Sequence, residues 1–237
     1  MKKIFTKLIL ALVFLSGLSL LLYPYFSKAW NAYRQSKLTT VYEQILADDV
    51  TEDYSEEWEK ARVYNEALYE KNDPYAFIRA EYAEEPDEEY LSCLNITEDG
   101  MMGYLEIPTI DVKLPIFHTT DENVLEQSVG HLEGSSLPIG GINTHAVLSA
   151  HRGLPNAKLF TALDSVKIGD RFYLYILDEV LCYEVDQILV VEPADIDELL
   201  IQDGKDYVTM FTCTPFAVNT HRLLVRGYRV EDTTKGI

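Results

Sequence analysis

Two residues near the C-terminal end of the chain have the types and spacing of a nucleophilic site. Cys213 follows the β-branched and aromatic run 208–212, and Arg222 comes nine positions later, where a second β-type run, 223–230, begins. Pro215 and Asn219 between the runs are typical turn residues. An antiparallel hairpin would therefore bring the guanidinium beside the thiol. A thiolate can attack a carbonyl carbon, and a guanidinium can stabilise both the thiolate and the oxyanion that the attack creates.

Acyl transfer by a thiol also needs an acid that protonates the leaving group, and histidine is the usual choice. The chain has five histidines, namely His118, His131, His145, His151 and His221. His151 follows a predicted strand and precedes a Gly-Leu-Pro loop, His145 begins that strand and His221 adjoins Arg222, so position alone does not choose among them. A lone strand-end cysteine is also more often a small buried side chain than a nucleophile. The residue types alone therefore decide neither which histidine is the acid nor whether Cys213 is a nucleophile.

The segments around these residues resemble the sortase family. Thr-Met-Phe-Thr-Cys-Thr-Pro-Phe, followed by Asn-Thr-His-Arg, resembles the family's Thr-Leu-x-Thr-Cys strand with an arginine on the next strand. Leu-Ser-Ala-His-Arg-Gly resembles its Ser-x-His-Arg-Gly motif. The likeness is to the class C, pilin-polymerising sortases and runs from about residue 73 to residue 229. It departs from that pattern at Met210, where the family usually has leucine, and at Phe216-Ala217, where it usually has Tyr-Gly.

The resemblance implies a role for each site residue. Cys213 would be the nucleophile, His151 the acid and Arg222 the group that stabilises the oxyanion and the peptide. Thr212 and Thr214, on either side of the nucleophile, are predicted to contact the substrate. The mechanism requires no cofactor and no metal.

A second motif lies ahead of the predicted catalytic domain, at Asp73-Pro74-Tyr75. The proline ends the helical pattern before it, and by itself the tripeptide is a common turn. In class C sortases an Asp-Pro-aromatic segment at this place is a lid. The resemblance therefore implies that Asp73 pairs with Arg222 and that the Tyr75 ring covers Cys213.

Composition excludes some other classes of protein. The net charge is −19, so nucleic acid is not expected as a partner, because its phosphates would be repelled. Between Glu43 and Glu106 there are twenty acids and four bases, a pattern that is usually a solvated face. The three cysteines, at 93, 182 and 213, form neither a CxxC zinc pattern nor an even disulfide set. Cys182 lies in an alternating strand pattern and is predicted to be in the core.

The first 26 residues read as an export segment. Three lysines precede an apolar run from Leu8 to Phe26, nearly the 20 or so residues that cross a hydrocarbon core, and aromatic residues follow its end. We predict an uncleaved membrane anchor, with the N-terminus cytoplasmic and the catalytic domain extracellular. A cleaved signal peptide is the alternative. Class C sortases commonly carry a second apolar segment after the barrel, and this sequence shows none, so the anchor is N-terminal only or the sequence is cut short.

The remaining pattern predicts helices followed by a β domain. Residues 27–71 read as two helices divided near 48–55, with an apolar stripe at Val41, Ile45, Trp58, Val63 and Ala67, which would hold the catalytic domain off the membrane and pack against it. Strands are predicted at 102–107, 112–117, 144–149, 171–176, 181–191, 207–212 and 223–230, and short helices at 121–128, 157–163 and 196–201.

We therefore expect a mainly β fold, a closed sortase-type barrel of seven to eight strands with short helices. The expected domains are an anchor at 1–26, a helical stalk at 27–71, a lid and linker at 72–99, the catalytic barrel at 100–231 and a tail at 232–237.

The predicted function is cleavage of a Leu-Pro-x-Thr-Gly-like sorting motif and transfer of the acyl group to a pilin lysine. The expected partners are pilins or surface proteins that bear the motif, with a pilin lysine or a cell-wall amine as acceptor. A sortase that anchors surface proteins to the cell wall uses the same three residues and is the first alternative. An inactive membrane-tethered scaffold would keep the barrel without a reason to keep the three residues. A papain-like hydrolase fits poorly, since its cysteine opens a helix.

Overall fold

The structure is a computed structural model that describes residues 2–48, 53–81, 83, 85–97 and 99–231. The predicted tail at 232–237, and residues 49–52 of the predicted break between the helices, lie outside these ranges. The described helices are α1 Lys2–Asp48, α2 Ser55–Lys71, α3 Ala76–Glu81, α4 Glu88–Ser92 and α5 Glu122–Leu125.

Eight strands close into one barrel, as predicted. They are β1 Met101–Ile107, β2 Val112–Phe117, β3 Val129–His131, β4 Thr144–Ser149, β5 Arg171–Ile176, β6 Glu179–Val191, β7 Asp206–Thr214 and β8 His221–Val230. Their order around the barrel is β1-β2-β3-β4-β7-β8-β6-β5. The β2–β3 and β4–β7 pairs are parallel and the other pairs are antiparallel. Among the described strands closure leaves no free edge, and alternate side chains fill the interior.

The second half of α1 packs along the barrel. Its contact face follows the helical repeat through Asn31, Gln35, Tyr42 and Leu46. Tyr42 is fully buried, donates to the Met102 carbonyl at 3.1 Å and accepts from the Leu177 N–H at 2.9 Å. The first half of α1 is exposed, and by length and composition this helix can cross a membrane. Anchor and stalk are thus one continuous helix, although the sequence predicted a boundary at residue 26.

The predicted apolar stripe was only partly right. Trp58 is buried in α2 and donates to Asp178 at 2.8 Å, but Val41 and Val63 are exposed. The buried face of α2 continues instead through Ala61 and Asn65. Asn65 is a polar residue that the apolar pattern missed. Its side-chain amide donates to the Leu137 carbonyl and accepts from the Leu137 N–H.

The short elements differ most from the predictions. Strand β3 was missed because three residues are too few to give a pattern, and the linker contains α3 and α4. The helix predicted at 157–163 is wrong, since that segment is a series of turns, with Leu159 at φ 38° and the Phe160 N–H bonded to the His151 carbonyl. Within 196–201 only the 3-10 turn Asp197–Leu199 forms.

Candidate active site

Three neighbouring strands meet at one end of the barrel, in the order β4, β7, β8. Cys213 near the end of β7 lies directly opposite Arg222 near the start of β8. Directly opposed residues point to the same face of a sheet, with Cβ atoms about 4.5–5.5 Å apart. The hairpin predicted from the sequence therefore brings thiol and guanidinium together.

His151 lies on the other side of Cys213. Strand β4 pairs in parallel with β7, with Ser149 beside Phe211, and the Ala150 N–H still bonds the Phe211 carbonyl at 3.4 Å. Continuing this register by two residues places His151 beside Cys213, about one strand spacing of 4.8 Å away. The segment after β4, the end of β7 and the start of β8 thus carry the imidazole, the thiol and the guanidinium in that order.

The alternation of side chains points the thiol and the guanidinium away from the core. Val208 and Met210 on β7, and Val225 on β8, belong to the hydrophobic core. Because successive residues of a strand point to opposite faces, Cys213 and Arg222 point outward. Outward groups at the end of a barrel can meet a substrate without opening the fold.

The site groups are accessible and chemically unengaged. Cys213 is the only partly exposed cysteine, since Cys93 and Cys182 are 0% and 1% exposed. Among the described residues, neither the Cys213 thiol nor the His151 ring has a hydrogen-bond partner. The Arg222 guanidinium bonds two carbonyls of its own loop, at 3.3 and 3.4 Å, and no carboxylate in the described part of the chain lies within 4 Å of it. Its charge is therefore available to an oxyanion.

Three of the other histidines are structural. His118, His131 and His145 are buried and hydrogen-bonded, and burial lowers the pKa of all three, to about 4 for His131 and His145. His145 bonds the Leu200 carbonyl at 3.0 Å and the Thr209 hydroxyl at 2.7 Å. His131 similarly meets Tyr90 and the Ser136 carbonyl. Neutral, buried rings of this kind cannot serve an exposed thiol, which leaves His151 and His221. His221 lies opposite Thr214 and its ring meets the Thr220 hydroxyl at 2.9 Å, whereas the register of β4 and β7 brings His151 towards Cys213.

Comparison with known proteins identifies the family of the chain that carries this site. A sortase-domain family model matches residues 105–230, more than half of the chain. The chain belongs to the sortase family. Sortases are cysteine transpeptidases, so this chain is an enzyme of that type.

Solved structures of class C sortases are similar over most of the chain. Sortase C1 from Streptococcus agalactiae is 44% identical, with a TM-score of 0.73, covering 83% of this chain and 99% of that one. Sortase C-1 from Streptococcus pneumoniae is 46% identical, with a TM-score of 0.72, covering 82% and 98%. Sortase C from Clostridium perfringens, solved with the C-terminal cell wall sorting motif, is 44% identical, with a TM-score of 0.70, covering 83% and 99%.

The two threonines beside Cys213 of this sortase have different environments. Thr212 is 1% exposed, and its hydroxyl donates to the Ala150 carbonyl at 2.7 Å. The substrate contact predicted for Thr212 is therefore not available in this structure, because the side chain faces inward and joins β7 to the end of β4. Thr214 is partly exposed, and its substrate contact stays a prediction.

Arg152 holds together the two loops of the active site, a role that the sequence did not reveal. It donates to the Thr214 hydroxyl at 3.3 Å and pairs with Asp164. Its side chain is 9% exposed, and its Nε is buried without a partner among the described residues. Next to it, Gly153 has φ +81°, and a Cβ there would come within 2.5 Å of the Phe216 ring. The loops after β4 and β7 thus pack directly on each other.

The lid contacts predicted for Asp73-Pro74-Tyr75 are not present in this sortase structure. Asp73 accepts from the Tyr75 N–H and pairs with Arg79, not with Arg222. The Tyr75 ring is 59% exposed, whereas the buried ring of this segment is Phe77. The family resemblance implied other partners for these side chains, whereas Asp73 pairs locally within the turn and with Arg79.

The place where α2 ends explains this correction. Tyr69 in its last turn bonds Asp203, just before β7 begins, and a Cβ on Gly134 would lie 2.5 Å from the Phe77 nitrogen. A surface pocket lined by Asp73, Pro74, Phe77, His145 and Leu200 lies between this segment and the start of β4. His145 is level with Tyr207, and Cys213 is six residues further along β7, roughly 20 Å.

Proposed function

We propose that this sortase is a membrane-anchored transpeptidase that cleaves a Leu-Pro-x-Thr-Gly-like motif between threonine and glycine and polymerises pilins. The observation that supports the chemistry is the strand register, since Cys213 on β7 pairs with Arg222 on β8 and His151 follows the end of β4, the other neighbour of β7. The observation that favours pilins is the likeness to class C sortases, at 44–46% identity over 82–83% of the chain.

The first half of the reaction forms an acyl-enzyme. The Cys213 thiolate attacks the threonine carbonyl carbon, and the new oxyanion is stabilised by the Arg222 guanidinium beside it. When the intermediate collapses, the carbon–nitrogen bond to glycine breaks and protonated His151 gives its proton to the departing amine. The products are a thioester on Cys213, a free glycine amine and a neutral imidazole.

The second half transfers the acyl group. A lysine amine of the acceptor attacks the thioester carbon, and neutral His151 takes the proton that the amine loses. Collapse breaks the carbon–sulfur bond, returns the thiolate and leaves an isopeptide bond. The enzyme regains its starting protonation state, so no cofactor or outside redox agent is needed.

The proposed location follows from α1. Its exposed apolar first half would span the membrane, and Lys3 and Lys7 at its start would stay on the cytoplasmic side. The barrel, which packs against the other end of the same helix, would then lie outside the cell. This is where pilins and wall amines are accessible.

The experiment is product mass spectrometry with the full-length enzyme, a pilin bearing the motif and an acceptor pilin. We expect an isopeptide between the motif threonine and a lysine, with no product from Cys213→Ala or His151→Ala. Replacing the acceptor lysine by arginine in the pilin is the matched control and should remove the product.

A wall-peptide amine supplied in competition tests the alternative acceptor. Preferential transfer to that amine would indicate wall anchoring instead of polymerisation. Isopeptide formation by Cys213→Ala at the wild-type yield would refute the mechanism itself.

A further inference from the structure

Helix α1 fixes how far the barrel lies from the membrane. Its exposed apolar run ends at Phe26, and the helix continues without interruption to Asp48. Among the described residues, the first hydrogen bond from α1 to the barrel domain is that of Asn31, whose amide donates to the Asn156 carbonyl at 2.9 Å. Five residues of α-helix rise only about 8 Å. One headgroup layer is about 5–8 Å thick, so Asn156 lies close to its outer edge.

The catalytic end of the barrel is the end nearer the membrane. Asn156 lies in the loop that follows His151. Gln35, one turn beyond Asn31, donates to the Gln127 carbonyl at 2.6 Å. Gly130 on β3 is opposite Ser149 on β4, so residues just before β3 are level with His151.

Contacts further along α1 lie further from the site. Glu43 accepts from Lys113 at 2.8 Å and from Tyr104 at 2.7 Å, towards the other end of β1 and β2. The axis of α1 therefore runs from the catalytic end of the barrel towards the opposite end.

The catalytic end also exposes apolar side chains. Phe216 and Val218, in the loop between β7 and β8, are 54% and 63% exposed. Phe216 lies against Gly153, three residues from Asn156. The stretches 27–42, 150–162 and 213–222 contain six bases and no acid, although the whole chain has 39 acids and 20 bases. Acids at 118–128 and 192–198 reduce the electrostatic attraction of this end to an anionic lipid surface, so apolar contact would be the main contribution to binding such a surface.

We propose that the catalytic end of the barrel rests on the lipid surface of the membrane that holds α1, with Phe216 and Val218 in the headgroup layer. This inference rests on the membrane anchor of the proposed function. It restricts the substrate class to motifs held at the bilayer surface. A sorting motif projecting tens of ångströms from the membrane would not reach Cys213.

The test uses full-length protein in vesicles of phosphatidylcholine and phosphatidylglycerol, in a Cys213→Ala background. A fluorophore sensitive to polarity is attached at Phe216→Cys or Val218→Cys, and lipids with a spin label on the headgroup quench it. Ile142→Cys is the matched control, because Ile142 is 75% exposed and precedes β4 at the opposite end of the barrel. The parent without a new cysteine controls for labelling of Cys93 and Cys182, which are buried.

We expect quenching at positions 216 and 218 to exceed that at 142 at least threefold. A seven-residue helical insertion after Phe26, two turns or about 10 Å, should reduce the quenching at 216 to the level at 142. The same insertion in the active enzyme should leave cleavage of a soluble sorting peptide unchanged and lower cleavage of a peptide tethered to the lipid.

Two results would overturn the inference, and they are distinguishable. Equal quenching at 216 and 142 in protein that resists alkaline carbonate extraction would mean that the anchor is right and the orientation wrong. Release of the protein by carbonate would refute both the proposed anchor and the proposed membrane contact. Cleavage of the soluble peptide tests the chemistry separately from both.

Discussion

Replacing Thr212 by valine should lower the turnover of the enzyme more than it lowers the stability of the barrel. Valine keeps the shape of this buried side chain and removes the hydroxyl that donates to the Ala150 carbonyl at 2.7 Å. A buried polar group left without a partner costs about 1–3 kcal/mol. For a domain of this size, that loss lowers the Tm by roughly 2–12 °C.

The effect on turnover should be larger than this stability loss explains. The lost bond connects the residue before His151 to the residue before Cys213, so it holds imidazole and thiol at their separation. Misplacement of reacting groups by about 1 Å can lower a rate 100-fold. We therefore expect the kcat for cleavage of a fluorogenic sorting peptide to fall about 10- to 100-fold, with a smaller change in KM.

Thr209→Val is the matched control on the same strand. Thr209 is also 1% exposed, and its hydroxyl bonds His145 at 2.7 Å, near the opposite end of β7. The Thr209→Val variant should lose a similar amount of stability with little change in kcat. Thr212→Ser, which keeps a hydroxyl, should retain much more activity than Thr212→Val. If Thr212→Val lowers kcat no more than Thr209→Val, the bond to Ala150 does not align the site.

Three shorter predictions concern charge, access and pH. Arg222→Lys should lower kcat/KM at least tenfold at an unchanged Tm, because an ammonium lacks the planar fork, and near-normal turnover would mean that positive charge alone suffices. Asp73→Ala/Tyr75→Ala should leave the rate at which iodoacetamide labels the catalytic thiol within twofold of wild type, since neither side chain makes the predicted lid contact; several-fold faster labelling would show that the segment also covers the thiol. His131 and His145 have a pKa of about 4 in the folded state against an ordinary 6.5, so the unfolded state binds more protons between these two values. The free energy of unfolding should therefore fall as the pH drops from about 6.5 to 4, by up to about 3 kcal/mol for each ring. Chemical denaturation across this range measures the change, and a flat profile would contradict the burial of the two rings in their neutral form.

The barrel could be predicted from the sequence because its strands carry local signals. β-branched and aromatic runs punctuated by Pro, Gly and Asp marked every strand except β3. That strand has three residues and is defined by parallel pairing with β2, a long-range contact without a local pattern. The helix predicted at 157–163 failed for a related reason. Leu159 and Phe160 are buried by tertiary packing, and the left-handed backbone at Leu159 is incompatible with a helix.

The site was predictable where spacing along one hairpin determined it, and not where separate segments meet. Cys213 and Arg222 are joined by a short turn, so nine positions of sequence sufficed to place them opposite each other. His151 is 62 residues before Cys213 and was chosen by family resemblance, since five histidines were available. The partner of Asp73 was predicted by the same resemblance, and here the nearby Arg79 is the partner.

The position of the site depends on strand register more than on any contact within it. Met210 and Thr212 face the core, and Cys213 faces outward only because it comes one residue after Thr212. A slip of one residue in β7 would turn the thiol into the barrel and the core side chains out of it. The burial of Val208 and Met210 therefore specifies which residue can be the nucleophile. The β7–β8 pairing is regular over its whole length, whereas the β6–β8 pairing has an irregularity between Val185 and Gln187, far from Cys213. A second irregularity, between Met101 and Gly103 in the β1–β2 pairing, also lies away from β7, so Cys213 stays level with Arg222.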